Sequence, residues 1–196
     1  MKKLGKITGR LVLGIAIFWT LLTIWAECTG PKRSWELGNQ PSRINVLIVY
    51  DPDPFYNLDE QVSRSFGQAL ANQGLAVRVA TVAAANEFKD QPVDLYVFCA
   101  NTYNWRPDWA VSNFIEQKAL LANKPVVAIT LGSGSTDASQ KALEKLIRDR
   151  KGILLDSRSL WLSRPNDESR LNESNTQVAV SMARKWGQKI AQQIKY

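Results

Sequence analysis

The chain has 196 residues, 45% hydrophobic and 22% charged, a composition that fits one globular domain with a sizeable core and excludes a disordered chain. Of the formal net charge of +7, residues 1–42 carry +4, from Lys2, Lys3, Lys6, Arg10, Lys32 and Arg33 against Glu27 and Glu36; positive charge therefore flanks an apolar segment instead of coating the domain, which argues against nucleic acid as a partner. Histidine is absent, removing Ser–His and Cys–His nucleophile pairs and the commonest metal ligand, and the two cysteines, Cys28 and Cys99, suggest neither a disulfide framework nor a zinc site.

Residues 11–26 read LVLGIAIFWTLLTIWA, sixteen positions without a charge and apolar on every face, which excludes a surface amphipathic helix. Thr8, Gly9 and a snorkelling Arg10 extend the segment toward the length of a membrane span, and Trp19 and Trp25 are residues that anchor at interfaces. The expectation is a single-pass N-terminal anchor over 1–27, meeting the membrane through 8–27. The rival is a cleaved signal peptide, but IWAECTG lacks a clear small-x-small site and Glu27 before Cys28 spoils a lipoprotein box. Lys2, Lys3, Lys6 and Arg10 precede the span and Lys32, Arg33 and Arg43 follow it, a margin that favours a cytoplasmic N-terminus and an outward domain.

Gly30, Pro31, Gly38, Pro41 and Ser42 mark 28–43 as a linker, leaving 44–196 as the domain. The run INVLIVY at 44–50 predicts a central parallel strand buried on both faces. A helix is expected at 58–73, with Val62, Phe66, Ala69 and Leu70 on one stripe and Gly74 past its end. Further strands are expected at 75–82, 93–100 and 125–131, helices at 108–122 and 137–150, and a fifth, less regular strand within 152–162. A last helix at 175–194 places Ala179, Met182, Ala183, Trp186, Ile190 and Ile194 on one face. Strands alternating with helices predict an α/β, doubly wound, parallel five-stranded sheet. Ligands of such sheets bind beyond the carboxyl ends of the strands, where loops 51–57, 101–107 and 132–136 would meet.

Over 44–194 the sequence resembles the flavodoxin-like family. Thr102 and Tyr103 match its third-strand loop, Asn113, Phe114, Ile115 and Glu116 the helix that follows, and Lys124, Pro125 and Val126 with Gly132, Ser133, Gly134 and Ser135 its next strand and Gly-rich loop. The resemblance implies strand order 2-1-3-4-5 and an FMN site, with Tyr103 or Trp105 stacked on the isoalloxazine. It also implies backbone contacts to the ring from Asn101, Thr102, Tyr103 and Asn104 and from Gly132, Ser133, Gly134 and Ser135. For the aromatics a loop side chain folded over the sheet end is an equal alternative, and for the glycines a simple turn before a helix is another.

The first loop departs from the family pattern. Where hydroxyl residues would cradle a phosphate, this chain has Asp51, Pro52, Asp53, Pro54, Phe55, Tyr56 and Asn57. The prolines remove two donors, and a like-charge pair about 4 Å apart costs about 4 kcal/mol at an effective dielectric of about 20, roughly a thousandfold in affinity. Asn57 and Glu60 have capping-box spacing, and Asp59 and Glu60 put acid in the first helical turn, so the helix is expected to cap itself. Asp51, Asp53, Thr130 and Arg164–Pro165 loosely resemble the pattern of response-regulator receivers, but Arg164 stands where that family has Lys, and Cys99, Ala100 and Asn101 stand where its phosphate-accepting Asp belongs. A hydrolase using Asp51, Asp53 or Ser135 has no assembled constellation.

Two functions stay open. One is a membrane-tethered, FMN-linked electron-transfer protein or NAD(P)H oxidoreductase with a weakened phosphate loop. The other is a non-catalytic flavodoxin-fold module that has lost its cofactor and binds a redox or scaffold partner near the membrane.

Overall fold

The computed structural model describes residues 2–38, 42–88 and 91–194, with backbone alone at 2–7; Pro41 of the expected linker and the last two residues of the expected domain lie outside them. In chain order the elements are α1 (Lys2–Ala26), β1 (Ser34–Leu37), β2 (Asn45–Tyr50), α2 (Leu58–Ala71), β3 (Ala76–Thr81), α3 (Val82–Ala85), β4 (Leu95–Tyr103), β5 (Arg106–Pro107), α4 (Trp109–Gln117), β6 (Pro125–Gly132), α5 (Asp137–Asp149), β7 (Ile153–Trp161), a 3-10 turn at Glu168–Arg170 and α6 (Asn175–Ile194).

Five strands run parallel in the order β3-β2-β4-β6-β7, which is the expected 2-1-3-4-5. The sheet has seven strands and not five, because two short antiparallel pairings add to it. β1 forms inside the segment expected as a linker and pairs with β3 from Ser34 opposite Ala80 to Leu37 opposite Val77. It is held there by Trp35, stacked on Tyr50 at 6.4 Å, and by the Arg64 guanidinium over the Trp35 ring. β5 is the second addition. β4 continues through Asn101, Thr102 and Tyr103, turns at Asn104 and Trp105, and returns as Arg106 and Pro107. The expected loop at 101–107 is therefore a hairpin. The irregularity expected in the last strand is a bulge, where the register with β6 shifts between Val126 and Val127.

Alternation along the central strands divides the core in two. Val46, Ile48 and Tyr50 of β2, with Leu95, Val97 and Cys99 of β4, pack against α2 and α6. Leu47 and Val49, with Tyr96, Phe98 and Ala100, pack against α3, α4 and α5. β2 and β4 are apolar on both faces because helices cover both. On the first side α2 and α6 cross closely, with Phe66 edge-on to Trp186 at 5.3 Å and Trp186 Nε1 donating to Asp156 Oδ2 at 2.8 Å. The crossing depends on Gly187, where a Cβ would lie 2.7 Å from the Phe66 carbonyl oxygen.

α1 stands apart from this core. Its residues 8–26 form the one helix among the described residues that is long and apolar enough to cross a membrane, and almost none of that stretch is buried. Only its end enters the fold, where Ala26 and the adjoining Glu27 are buried.

Because the atom opposing a Gly187 side chain is backbone, the Gly187→Ala variant should lose about 1–3 kcal/mol, the scale of overpacking in a tight core. Chemical denaturation of the purified full chain should show the loss as a lower midpoint with an unchanged slope.

Candidate functional site

Three loops meet above the carboxyl ends of the parallel strands, and their contacts are dominated by carboxylates. Asp53 lies in the first loop, after β2. Its Oδ1 accepts the backbone N–H groups of Phe55 at 2.7 Å and Tyr56 at 3.0 Å, and its Oδ2 accepts the Tyr103 hydroxyl at 2.7 Å. The Asp53 amide in turn donates to Asp59 Oδ2 at 2.5 Å. Pro52 and Pro54 carry no N–H. Every amide donor from residue 52 to 56 is thus either missing or given to a carboxylate of the chain itself.

The expected capping box between Asn57 and Glu60 does not form. Asn57 makes no side-chain cap to α2; its Oδ1 accepts instead from Gln61 Nε2 at 2.5 Å. Glu60 is drawn outward by Arg33 at 3.0 Å and Arg64 at 3.3 Å. The residue that does serve the helix start is Asp59, whose Oδ1 accepts the Glu60 amide at 2.7 Å. A salt bridge takes the glutamate, and the expected self-cap is not made by Asn57; among the described residues the one first-turn amide of α2 given to a side chain is that of Glu60, which donates to Asp59.

Below the loops lies a buried polar floor. Asn101 Nδ2 donates to Asp59 Oδ2 and to the Asp51 carbonyl, both at 3.0 Å. The Asn101 amide donates to Asp108 Oδ2 at 2.8 Å, and Asp108 Oδ1 caps α4 by accepting from Val111 N at 2.8 Å. Asn101 is therefore a brace between loops as well as a residue of the cavity lining. Asp51, Asp59 and Asp108 are all buried. Burial pushes the Asp51 and Asp59 carboxyls up to about 6 and Asp108 well above the usual carboxylate range, with neighbouring carboxylates adding to the effect. Burial and the Asp53 carboxylate likewise keep the Tyr103 phenol protonated.

The residues expected to face a ring are partly assembled. Asn101, Thr102, Tyr103, Gly132 and Ser133 line a cavity of about 180 Å³ together with Asp53, Phe55, Tyr56, Leu58, Leu131 and Leu162. The Thr102 hydroxyl is buried with no hydrogen-bond partner among the described residues. Gly134 and Ser135 are not part of this lining: Gly134 packs beneath Arg164, 3.1 Å from its Cβ to where a side chain would begin. Nor are Asn104 and Trp105, which form the hairpin tip at φ 48° and 60°, an unfavourable conformation for a non-glycine residue. The carbonyl oxygens of Gly132 and Ser133 accept from Leu162 N at 2.9 Å and from Ser163 N and Arg164 N at 3.0 and 2.9 Å, so this loop is tied to the segment after β7.

Sequence reasoning missed the role of the α1 terminus. Asn104 Nδ2 donates to Thr23 Oγ1 at 3.3 Å, Trp25 meets Phe55 edge-on at 5.1 Å, and Glu27 Oε2 accepts the Trp109 amide at 2.7 Å. The Gly30 amide donates to Asp51 Oδ1 at 3.0 Å, a close approach in which a Cβ at Gly30 would fall 2.6 Å from the Pro52 ring. Leu162 and Asp108 were also overlooked, and Asp59 was placed in the first turn of its helix but not in the site. Of these only Asp108, an acidic residue just before a helix, had a local signal, that of an N-cap.

Whether these residues fit FMN can be asked of its two ends. At the ring end a lined cavity exists, but its volume is below the roughly 300 Å³ where small-molecule sites begin. At the phosphate end the amides of residues 53, 55 and 56 are already given to the Asp59 and Asp53 carboxylates, and Asp53 would set a negative charge beside the anion. The phosphate does not fit.

Carboxyls whose folded values lie near 6, against about 3.9 in an unfolded chain, bind protons in the folded state first. The stability they contribute is full below about pH 4 and is lost as pH rises through about 6. The melting temperature of the full chain should therefore rise as pH is lowered from 7 toward 4.5, and the Asp51→Asn variant, which keeps an acceptor for Gly30, should flatten the slope.

No protein-family model and no curated protein matches the chain, but solved structures do. A flavodoxin variant from Pseudomonas aeruginosa is similar at TM-score 0.60 and 17% identity, over 78% of this chain and 100% of that one. A flavodoxin from the Archaea is similar at 0.58 and 10%, over 78% and 100%. The rubredoxin oxygen:oxidoreductase of Desulfovibrio gigas is similar at 0.59 and 15%, and the match covers 80% of this chain but 37% of that larger one. At these identities the likeness concerns architecture: the chain has the flavodoxin-like fold.

Proposed function

We propose that the chain is a membrane-tethered flavodoxin-fold module that does not hold FMN through its first loop and acts by binding a partner near the membrane. The observation that carries this reading is the Asp53 carboxylate closed on the amides of Phe55 and Tyr56 and on the Tyr103 hydroxyl. An incoming phosphate must displace it from three donors, each charge-assisted bond contributing about 1.5–3 kcal/mol, and would then lie beside the displaced charge. The tether is supported by the exposed apolar stretch of α1. Retention of that helix, as opposed to cleavage, is supported by burial of Ala26 and Glu27 and by the bond from Trp109 N to Glu27, which build its end into the domain.

A second reading is favoured by the cavity. Asn101, Thr102, Tyr103, Gly132 and Ser133 share it, and the Thr102 hydroxyl within it lacks a partner among the described residues. In that reading these residues hold the ring of FMN, and the chain is a membrane-bound electron carrier or flavin-dependent oxidoreductase.

Purified full chain separates the two. The first reading expects a preparation without visible flavin absorbance and no rise in melting temperature on adding FMN. A saturable rise, which at a hundredfold excess over Kd corresponds to about 2.7 kcal/mol, would establish the second. The Asp53→Ala variant should lower stability by about 1–3 kcal/mol, because it leaves loop donors without an acceptor.

A further inference from the structure

The contacts between the end of α1 and the loops place those loops at a definite depth relative to a membrane. The apolar stretch Thr8–Ala26 has 19 residues, about 28 Å of helix at about 1.5 Å per residue, and a hydrocarbon core is about 30 Å thick. The whole stretch is needed to span, including its last turn. Yet Thr23 and Trp25, both within that last turn, are in contact with Asn104 and Phe55 of the loops. Side chains that touch the end of a span lie level with the bilayer boundary.

What the loops present at that level is aromatic. Trp105 is 66% exposed, Tyr56 56% and Phe55 53%, and Trp109 follows the same hairpin, its amide bonded to Glu27. Trp105 occupies the tip of the two-residue β4–β5 hairpin, whose turn sets both Asn104 and Trp105 at positive φ, so the hairpin itself carries an exposed tryptophan at this level. The carboxylates of the same loops do not oppose a lipid surface, since Asp51, Asp59 and Asp108 are buried and Asp53 is bonded to amides and a phenol.

We propose that the carboxyl edge of the sheet lies against the bilayer, with Trp105, Tyr56 and Phe55 seated in the headgroup region as an aromatic belt. This rests on the tether proposed above and adds an orientation to it: the crevice lined by Phe55, Tyr56 and Tyr103 opens at the membrane surface, and the amino edge of the sheet points away.

The test uses the full chain in phosphatidylcholine vesicles, in a Cys28→Ser background, since the other cysteine, Cys99, is fully buried. Trp105→Cys and, separately, Tyr56→Cys are labelled with an environment-sensitive fluorophore, and Gln117→Cys, at the far end of α4, serves as the reference. Both loop labels should emit to the blue of the reference, be quenched several-fold more slowly by aqueous iodide, and be quenched by phosphatidylcholine spin-labelled near its headgroup. If the chain floats with vesicles after a carbonate wash but the loop labels behave like the one at 117, the orientation is wrong and the tether stands. If the labels are shielded from iodide without being quenched by spin-labelled lipid, a protein covers the face and the proposal fails. If the chain does not float, the tether fails and the orientation with it.

Discussion

Backbone amides at the start of a loop above a parallel sheet must be given to some acceptor, and in this chain the acceptor is Asp53. Its carboxylate takes the amides of Phe55 and Tyr56 and the phenol of Tyr103, while Asp59 takes the Asp53 amide and the Asn101 side chain. The first and third loops are thereby locked to each other by the chain's own anions. That closure keeps the cavity small and keeps Tyr103 turned toward Asp53.

Closure of this kind has an electrostatic cost. Asp51, Asp59 and Asp108 are withdrawn from water close enough to raise one another, and no lysine or arginine pairs with any of them among the described residues. They are satisfied by amides and by Asn101, which recovers much of the solvation lost. Arg33, just before β1, and Arg64, on α2, are spent outside the cluster on Glu60. A site arranged in this way favours neutral or protonated contents over anions, the opposite of a phosphate cradle.

The segment between α1 and β2 connects this chemistry to the membrane-spanning candidate. β1 adds an antiparallel edge to β3, and the chain leading to it sets Gly30 on Asp51 and Glu27 on Trp109. The helix end, the acidic floor and the aromatic hairpin tip are consequently parts of one structure, and a change at the helix end reaches the loops through direct contacts.

Local pattern was enough for the central strands and for α2, α4, α5 and α6, because continuous apolar runs such as VLIVY and stripes such as Val62, Phe66 and Leu70 report burial directly; the strand order came from the resemblance, and the four-residue α3 was not foreseen. The resemblance carried by Thr102, Tyr103 and the Gly132 loop was enough for the fold, and the composition of the first loop was enough to doubt a phosphate there. What local pattern left open depended on partners distant in sequence. Asn57 and Glu60 had the spacing of a cap, but Arg33, 27 residues away, took the glutamate. Residues 34–37 looked like linker because an edge strand of four residues has little periodicity, and only the exposed edge of β3 made it a strand. Asn101 matched a ligand-binding loop, yet bonds to Asp51, Asp59 and Asp108 made it a brace. Sequence alone determined which segments are buried, since burial follows from side-chain type and period; the tertiary structure decided which acceptor each polar group meets, since that depends on the competition among all the groups the fold brings within reach.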